Sequence, residues 1–245
     1  SPEFYEAWAA DFTIDGRAPR AGEIFKYKGM AETLEELGKT NCESFYRGAI
    51  ADAIDSYSRK TGGYLRKEDL AAYKAQWVEP ITTNYRGYDV WEIPPNGHGI
   101  VVLMALNILE GMDLSAGHDD PETAHKIMEA LKLAFTDGKR YVADPRAMKP
   151  TVEQLLSRDY AAKRRALIGS TALEPKPGTP YCGDTVYLNA ADGDGNMISY
   201  IQSIYCGFGS GTVLPGTGIV FHNRGNNFTM DETMENCVAP GKKPY

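Results

Sequence analysis

The chain has 245 residues, 42% hydrophobic and 24% charged, with a formal net charge of −7. That length can bury a core for one or two domains. The acidic balance argues against general nucleic-acid binding, which needs a basic footprint, and no apolar run reaches the ~20 residues of a membrane span.

The start Ser1-Pro-Glu-Phe-Tyr5 lacks the basic and apolar regions of a signal peptide. The sequence leaves the compartment at cytoplasmic or secreted, with the cytoplasm preferred. Cys42, Cys182, Cys206 and Cys237 are far apart and form no CxxC pair, so neither zinc nor dithiol redox chemistry has support. Asp113, Asp119, Asp120, Asp137 and Asp144 are scattered. No metal or cofactor is expected.

In chain order, residues 1–27 mix charge, glycine and proline, and Gly16-Arg-Ala-Pro19 with Arg20-Ala-Gly-Glu23 reads as an extended surface connector. Residues 30–37 form a short amphipathic helix stopped by Gly38. A second helix is expected over 43–59, where Phe45, Ile50, Ala53, Ile54 and Tyr57 recur at helical spacing. Asn41 is its candidate cap. A short third helix covers 67–73. Residues 81–85 and 88–93 read as strands around Arg86-Gly87. The apolar run 100–109 reads as a buried helix. A longer helix follows over 121–141, with Ala124, Ile127, Met128, Leu131, Ala134 and Phe135 expected inward. Residues 151–168 form one or two helices, whose Lys163-Arg164-Arg165 cluster is expected to face solvent. Trp77, Trp91 and the methionines read as core or interface filler. Pro175, Pro177, Gly178 and Pro180 make an extended segment suited to an exposed, cleavable linker.

The most informative stretch follows. Residues 185–191 and 197–203 read as two strands joined by a tight turn. If Asp192 pairs with Asn196, the loop is Gly193-Asp-Gly195, with Gly195 in the left-handed position. Counting back, Thr185 lies opposite Ser203. An internal threonine hydroxyl is a poor nucleophile. An N-terminal one has its own α-amine, whose pKa of about 7.7–8.0 suits it as a base near neutrality. No histidine is then needed, and none of the four stands at recognisable triad spacing from a Ser or Cys. Cleavage between Asp184 and Thr185 would release that amine. Beyond the hairpin, residues 205–212 form a glycine-rich turn able to shape a pocket wall. Residues 218–223 read as a third strand delivering Asn223, Arg224, Asn226 and Asn227 together. Arg224 is either a clamp for a substrate carboxylate or a solvated side chain.

These stretches resemble the gamma-glutamyltranspeptidase family and its acylase-like and capsule-processing relatives. The resemblance rests on Asp184-Thr185, Asp192-Gly-Asp-Gly-Asn196, Phe208-Gly-Ser-Gly211, Phe221-His-Asn-Arg-Gly-Asn-Asn-Phe228 and Ala239-Pro-Gly-Lys-Lys-Pro244. Upstream, Phe45-Tyr-Arg-Gly-Ala-Ile-Ala51, Asp69-Leu-Ala-Ala-Tyr73, Tyr85-Arg-Gly-Tyr88 and Leu131-Lys-Leu-Ala-Phe135 add to it. It spans essentially the whole chain.

The resemblance implies an α+β fold, a four-layer αββα sandwich of the N-terminal nucleophile hydrolase type, present here as an incomplete portion. It implies a precursor cut before a threonine. Residues 1–184 would be the C-terminal part of the large subunit, and 185–245 the N-terminal part of the small one, in a heterodimer with the remaining segments. Thr185 then matches the nucleophile and Ser203 a hydroxyl that supports it. Tyr205, Gly209, Ser210, Asn223, Arg224 and Asn227 match the substrate-binding wall. The implied activity is cleavage of gamma-glutamyl or related acyl amides through an acyl-enzyme. Transfer to amino acids or peptides is one alternative, and an unprocessed, non-catalytic binding or scaffold protein another.

The departures carry information. Tyr205 replaces an asparagine, Arg224 a glutamine or glutamate, and Asn227 an aspartate that pairs with a substrate amine. Thr185-Val186-Tyr187 replaces the usual threonine-threonine-histidine start. An acyl group bearing a carboxylate, or a gamma-linked polyglutamate-like chain without a free amine there, suits Arg224 better than the gamma-glutamyl end of glutathione does. The family's oxyanion-hole glycine pair is expected beyond Tyr245, and its carboxylate-binding arginine before Ser1. This portion alone is therefore expected to be inactive, with unpaired sheet edges.

Overall fold

A computed structural model describes residues 2–174 and 185–245. Cys182, Asp184 and the proline-rich linker lie outside the described residues. The helices are α1 Pro2–Phe12, α2 Lys28–Lys39, α3 Glu43–Arg47, α4 Ala49–Lys60, α5 Lys67–Ala72, α6 Gly99–Leu109, α7 Pro121–Tyr141, α8 Val152–Leu155 and α9 Arg158–Arg165. The strands are β1 Ile81–Tyr85, β2 Tyr88–Glu92, β3 Thr185–Ala191, β4 Met197–Ser203, β5 Val213–Leu214 and β6 Ile219–Val220. Among the described residues they pair only as the antiparallel hairpins β1–β2, β3–β4 and β5–β6.

The chain divides into two compact units. The first takes residues through Gln76 and the described residues from Thr185 through Arg224. The second takes residues from Trp77 through Glu174, together with Gly225–Tyr245. Each unit therefore draws on sequence from both sides of Thr185.

In the first unit, Ile50, Ile54 and Leu214 are the buried centre, with Leu37, Phe45, Tyr57, Leu70, Ile219 and Phe221 around them. The expected single helix over 43–59 is two helices. A Cβ on Gly48 would lie 2.8 Å from the Ser44 Cα, so only glycine allows α4 to restart so close to α3. Asn41 is not the cap. Cys42 occupies that place at φ 67° with no side-chain bond, and the Thr40 hydroxyl accepts from the Ser44 N–H at 3.3 Å. Residues 16–23 are irregular and largely exposed, as expected of a connector, whereas the residues before them form a full helix, α1, that the sequence reading does not anticipate. Tyr5, Trp8 and Phe12, spaced three and four apart, stack along it.

In the second unit, α6 is buried along almost its whole length, from Ile100 to Leu109. Its Asn107 is 1% exposed and fully engaged. It accepts from the Thr83 hydroxyl on β1 and donates to the Leu156 carbonyl at 3.0 Å. Helix α7 starts where expected, with Asp120 accepting from the Thr123 N–H at 2.8 Å and Pro121 in the first turn. Its inward face agrees with expectation at Ala134, which is buried, and at Ile127, which packs partly buried on the core, but differs elsewhere. Thr123, Glu129, Ala130, Leu133, Ala134, Asp137 and Gly138 are buried, whereas Met128, Leu131 and Phe135 are exposed. Small residues set that face. A Cβ on Gly138 would come within 2.6 Å of the Val101 Cγ2, so α6 and α7 pack closely there. The buried acids find cations, Lys132 for Glu129 and Arg164 for Asp137, each at 2.8 Å.

The basic cluster is largely structural rather than solvent-facing. Arg164 pairs with buried Asp137. Arg165 donates to the carbonyls of Ile108 and Asn107 at 2.6 and 2.9 Å, and only Lys163 is exposed. Trp77 and Trp91 are exposed and are not core residues.

Two predictions follow from this packing. Gly48→Ala should lower stability by about 1–3 kcal/mol, the usual cost of forcing atoms into a packed site, measurable by urea unfolding. Buried Asp144 accepts from the Arg146 guanidinium at 2.6 and 2.9 Å and from the Lys243 N–H at 3.0 Å. Chiefly through Arg146, and against burial, these bonds hold its carboxyl well below the ordinary 3.8. A depressed folded-state value adds stability above 3.8 that is lost as the pH falls below it. Asp144→Asn should flatten the acid limb of the melting-temperature profile between about pH 5 and pH 2; an unchanged limb would refute this.

Candidate active site

The hairpin β3–β4 is built at its loop. The Asp192 N–H donates to the Asn196 carbonyl at 3.0 Å, and Gly195 has φ 84°. The Asp192 carboxylate accepts from the Asp194 N–H at 3.0 Å, the Asn196 N–H at 2.9 Å and the Asn196 side-chain amide at 2.8 Å. The Asn196 side-chain bond leads in lowering the Asp192 pKa. With the loop fixed, the register follows, and Thr185 pairs with Ser203 as the sequence predicts. Alternation puts Tyr187, Ser199 and Ile201 on one face, and Val186, Leu188, Ile198 and Tyr200 on the other. The apolar side chains of both faces are exposed.

Beyond β4 the chain turns sharply. The Ser203 hydroxyl accepts from the Tyr205 N–H at 2.9 Å. Tyr205 has φ 82°, a left-handed conformation that a bulky residue rarely adopts. Its ring lies under the Arg224 guanidinium, 4.8 Å from carbon to centroid, a cation–π contact. The Arg224 N–H donates to the His222 Nδ1 at 3.1 Å.

Between Tyr205 and Arg224 the chain folds back on itself. The Gly209 N–H donates to the Cys206 carbonyl at 2.7 Å, and the Ser210 N–H and hydroxyl both donate to the Phe221 carbonyl, at 2.8 and 2.9 Å. A Cβ on Gly209 would stand 2.4 Å from that carbonyl oxygen, and its φ is +58°. The Asn223 side chain accepts from the Cys206 N–H at 3.1 Å, and its own N–H donates to the Ile204 carbonyl at 3.2 Å. The expected third strand is much shorter than 218–223. Only Ile219–Val220 is extended, and it pairs with β5 instead of the main hairpin. From Arg224 the chain enters a short 3-10 turn, Arg224–Asn227.

The first unit thus brings together the Thr185 backbone, Ser203, Tyr205, Gly209, Ser210, Asn223 and Arg224. Asn227 belongs to the second unit, where its side-chain amide donates to the Tyr245 carbonyl at 2.6 Å. Sequence reasoning treated Tyr205 and Arg224 as separate departures, and their stacking required the fold. An open cleft of about 640 Å³ in the second unit, lined by Met112, Glu122, His125, Lys126 and Ile168 among others, contains none of the predicted residues.

The gamma-glutamyltranspeptidase family profile matches residues 2–245. The chain is 37% identical, over 96% of its length, to the glutathione hydrolase-like YwrD proenzyme of Bacillus subtilis. It is 36% identical, over its whole length, to the oxamate amidohydrolase proenzyme of Klebsiella pneumoniae. The crystal structure of cephalosporin acylase from Bacillus halodurans matches all of the chain with a TM-score of 0.91 and 54% identity. The chain spans 45% of the length of each of these three proteins. Its helices and strands are a portion of the αββα fold of N-terminal nucleophile hydrolases. On this sequence and structural agreement, the chain belongs to the gamma-glutamyltranspeptidase family.

Proposed function

We propose that this chain is the nucleophile-bearing part of a threonine N-terminal nucleophile amide hydrolase that processes itself between Asp184 and Thr185. In processing, the Thr185 hydroxyl attacks the Asp184 carbonyl, the acyl group moves from nitrogen to oxygen, and water cleaves the ester. The α-amine is thereby freed. In turnover the Thr185 oxygen attacks the substrate amide carbonyl. The α-amine takes the hydroxyl proton and hands it to the departing amine. Water, deprotonated by the same amine, then hydrolyses the acyl ester and restores the hydroxyl. Ser203 supports the nucleophile. Residues 1–184 and 185–245 belong to the large and small subunits of the resulting heterodimer. The relatives named as proenzymes, together with hydrolase and acylase names, support this reading.

The observation that carries it is the pairing of Thr185 with Ser203 next to the stacked Tyr205 and Arg224. Arg224 sits over a ring face while its planar fork of donors remains suited to a carboxylate. A substrate ammonium would meet a like charge at Arg224. The substrate class that fits is an amide whose acyl group ends in a carboxylate and has no free α-amine, such as a glutaryl amide. Oxamate, the namesake of one relative, likewise carries an amide beside a carboxylate.

In the full-length protein, mass analysis should find a fragment beginning at Thr185 that Thr185→Ala abolishes together with amidase activity. Uncut wild-type protein after prolonged incubation would sink the proposal. Arg224→Gln should raise KM for a glutaryl anilide about tenfold or more, because a hydrogen bond to a charged group is worth ~1.5–3 kcal/mol. A neutral butyryl anilide should change little. Equal losses on both substrates would refute the carboxylate role.

A further inference from the structure

The turn between Tyr205 and Arg224 contains Gly207, Gly209 and Gly211 at φ +46°, +58° and +72°. Three glycines in five residues leave a chain with large freedom to lose on ordering. Backbone bonds hold its inner edge. Its outer corner is Phe208, and that corner is held from α1. The Phe208 ring meets Trp8 at 5.5 Å and 86° and Phe12 at 5.1 Å and 71°, both edge-to-face contacts of the favourable kind.

Helix α1 is itself pinned. Phe12 packs on Tyr27 at 5.1 Å. The Tyr27 hydroxyl donates to the Gly218 carbonyl at 2.6 Å. A Cβ on Gly218 would lie 2.9 Å from the Tyr27 ring, so this anchor is as close as two chains can come. Helix α1 also packs against β5, although none of its own residues belongs to the buried cluster of Ile50, Ile54 and Leu214.

We propose that α1 is a positioning element for acyl-group recognition. Trp8 and Phe12 grip Phe208 and so fix the glycine-rich turn that presents Tyr205 to Arg224. The inference rests on the reading of Tyr205 and Arg224 as the acyl-binding pair. Trp8 touches no reacting atom and acts through Phe208.

The test uses the full-length protein with Trp8→Ala and Trp8→Phe, and two readouts. Hydrogen exchange of the peptide 204–212 should speed up about tenfold in Trp8→Ala, whereas the helix 49–60 keeps its protection. KM for a glutaryl anilide should rise about fivefold to tenfold with kcat within about twofold. Trp8→Phe should restore both. Unchanged exchange in a folded Trp8→Ala protein, or a fall in kcat at constant KM, would overturn the proposal. If Trp8→Ala does not fold, the milder Phe12→Leu takes its place in the same measurements. A wild type that hydrolyses neither glutaryl nor gamma-glutamyl anilides would sink the functional reading instead. The exchange result would still decide whether α1 fixes the turn.

Discussion

No side chain fits between Gly209 and the carbonyl of Phe221. That space is closed by backbone alone, and the rest of the candidate site depends on it. Because Gly209 can sit against the chain at 221, Ser210 reaches the Phe221 carbonyl with both its N–H and its hydroxyl. The turn then lies flat on the returning strand. Asn223 comes back beside Cys206 and Ile204, and Arg224 arrives over Tyr205. A residue nineteen positions downstream thus becomes a neighbour of the strand end that pairs with Thr185. The left-handed backbone of Tyr205 is the strained joint of this arrangement.

The parts of this site that could be read from the sequence are those governed by local chemistry. An aspartate that can satisfy several loop N–H groups, followed by a glycine able to turn left, specifies the hairpin loop, and the loop sets the pairing of Thr185 with Ser203. The ends of α7 were legible for the same reason, since a capping aspartate and a first-turn proline are local signals. Its buried face was not. Periodicity finds the apolar stripe of Met128, Leu131 and Phe135, but docking onto α6 is decided by Ala130, Ala134 and Gly138, which let the backbones approach. Helix α1 was hidden by the glycine and proline that follow it, although the spacing of Tyr5, Trp8 and Phe12 carried the signal. The break at Gly48 depends on contact with Ser44, which a period cannot show.

The basic cluster on α9 differs from its sequence pattern. Lys163-Arg164-Arg165 looks like a solvated run, yet two of the three arms end inside the second unit on Asp137 and on helix-end carbonyls. Glu235, buried, meets Arg140 and Lys149 in the same unit. Burial of one ion makes its partner hard to replace, because an unpaired buried charge is far costlier than a missing pair. The second unit therefore depends on keeping these buried ions matched, and this matching is invisible to a single sequence.

The interleaving of the two units has a consequence for any break near Thr185. Each unit is assembled from chain on both sides of that point, so a cut there does not release two finished bodies. The resulting pieces share their hydrophobic interiors, and dilution cannot separate them as it separates subunits that merely touch. Parting them requires opening both interiors to water. Their lifetime together is then set by the rate of unfolding rather than by an ordinary dissociation constant. A nicked molecule of this kind should run as one particle in native chromatography and as two chains only under denaturant.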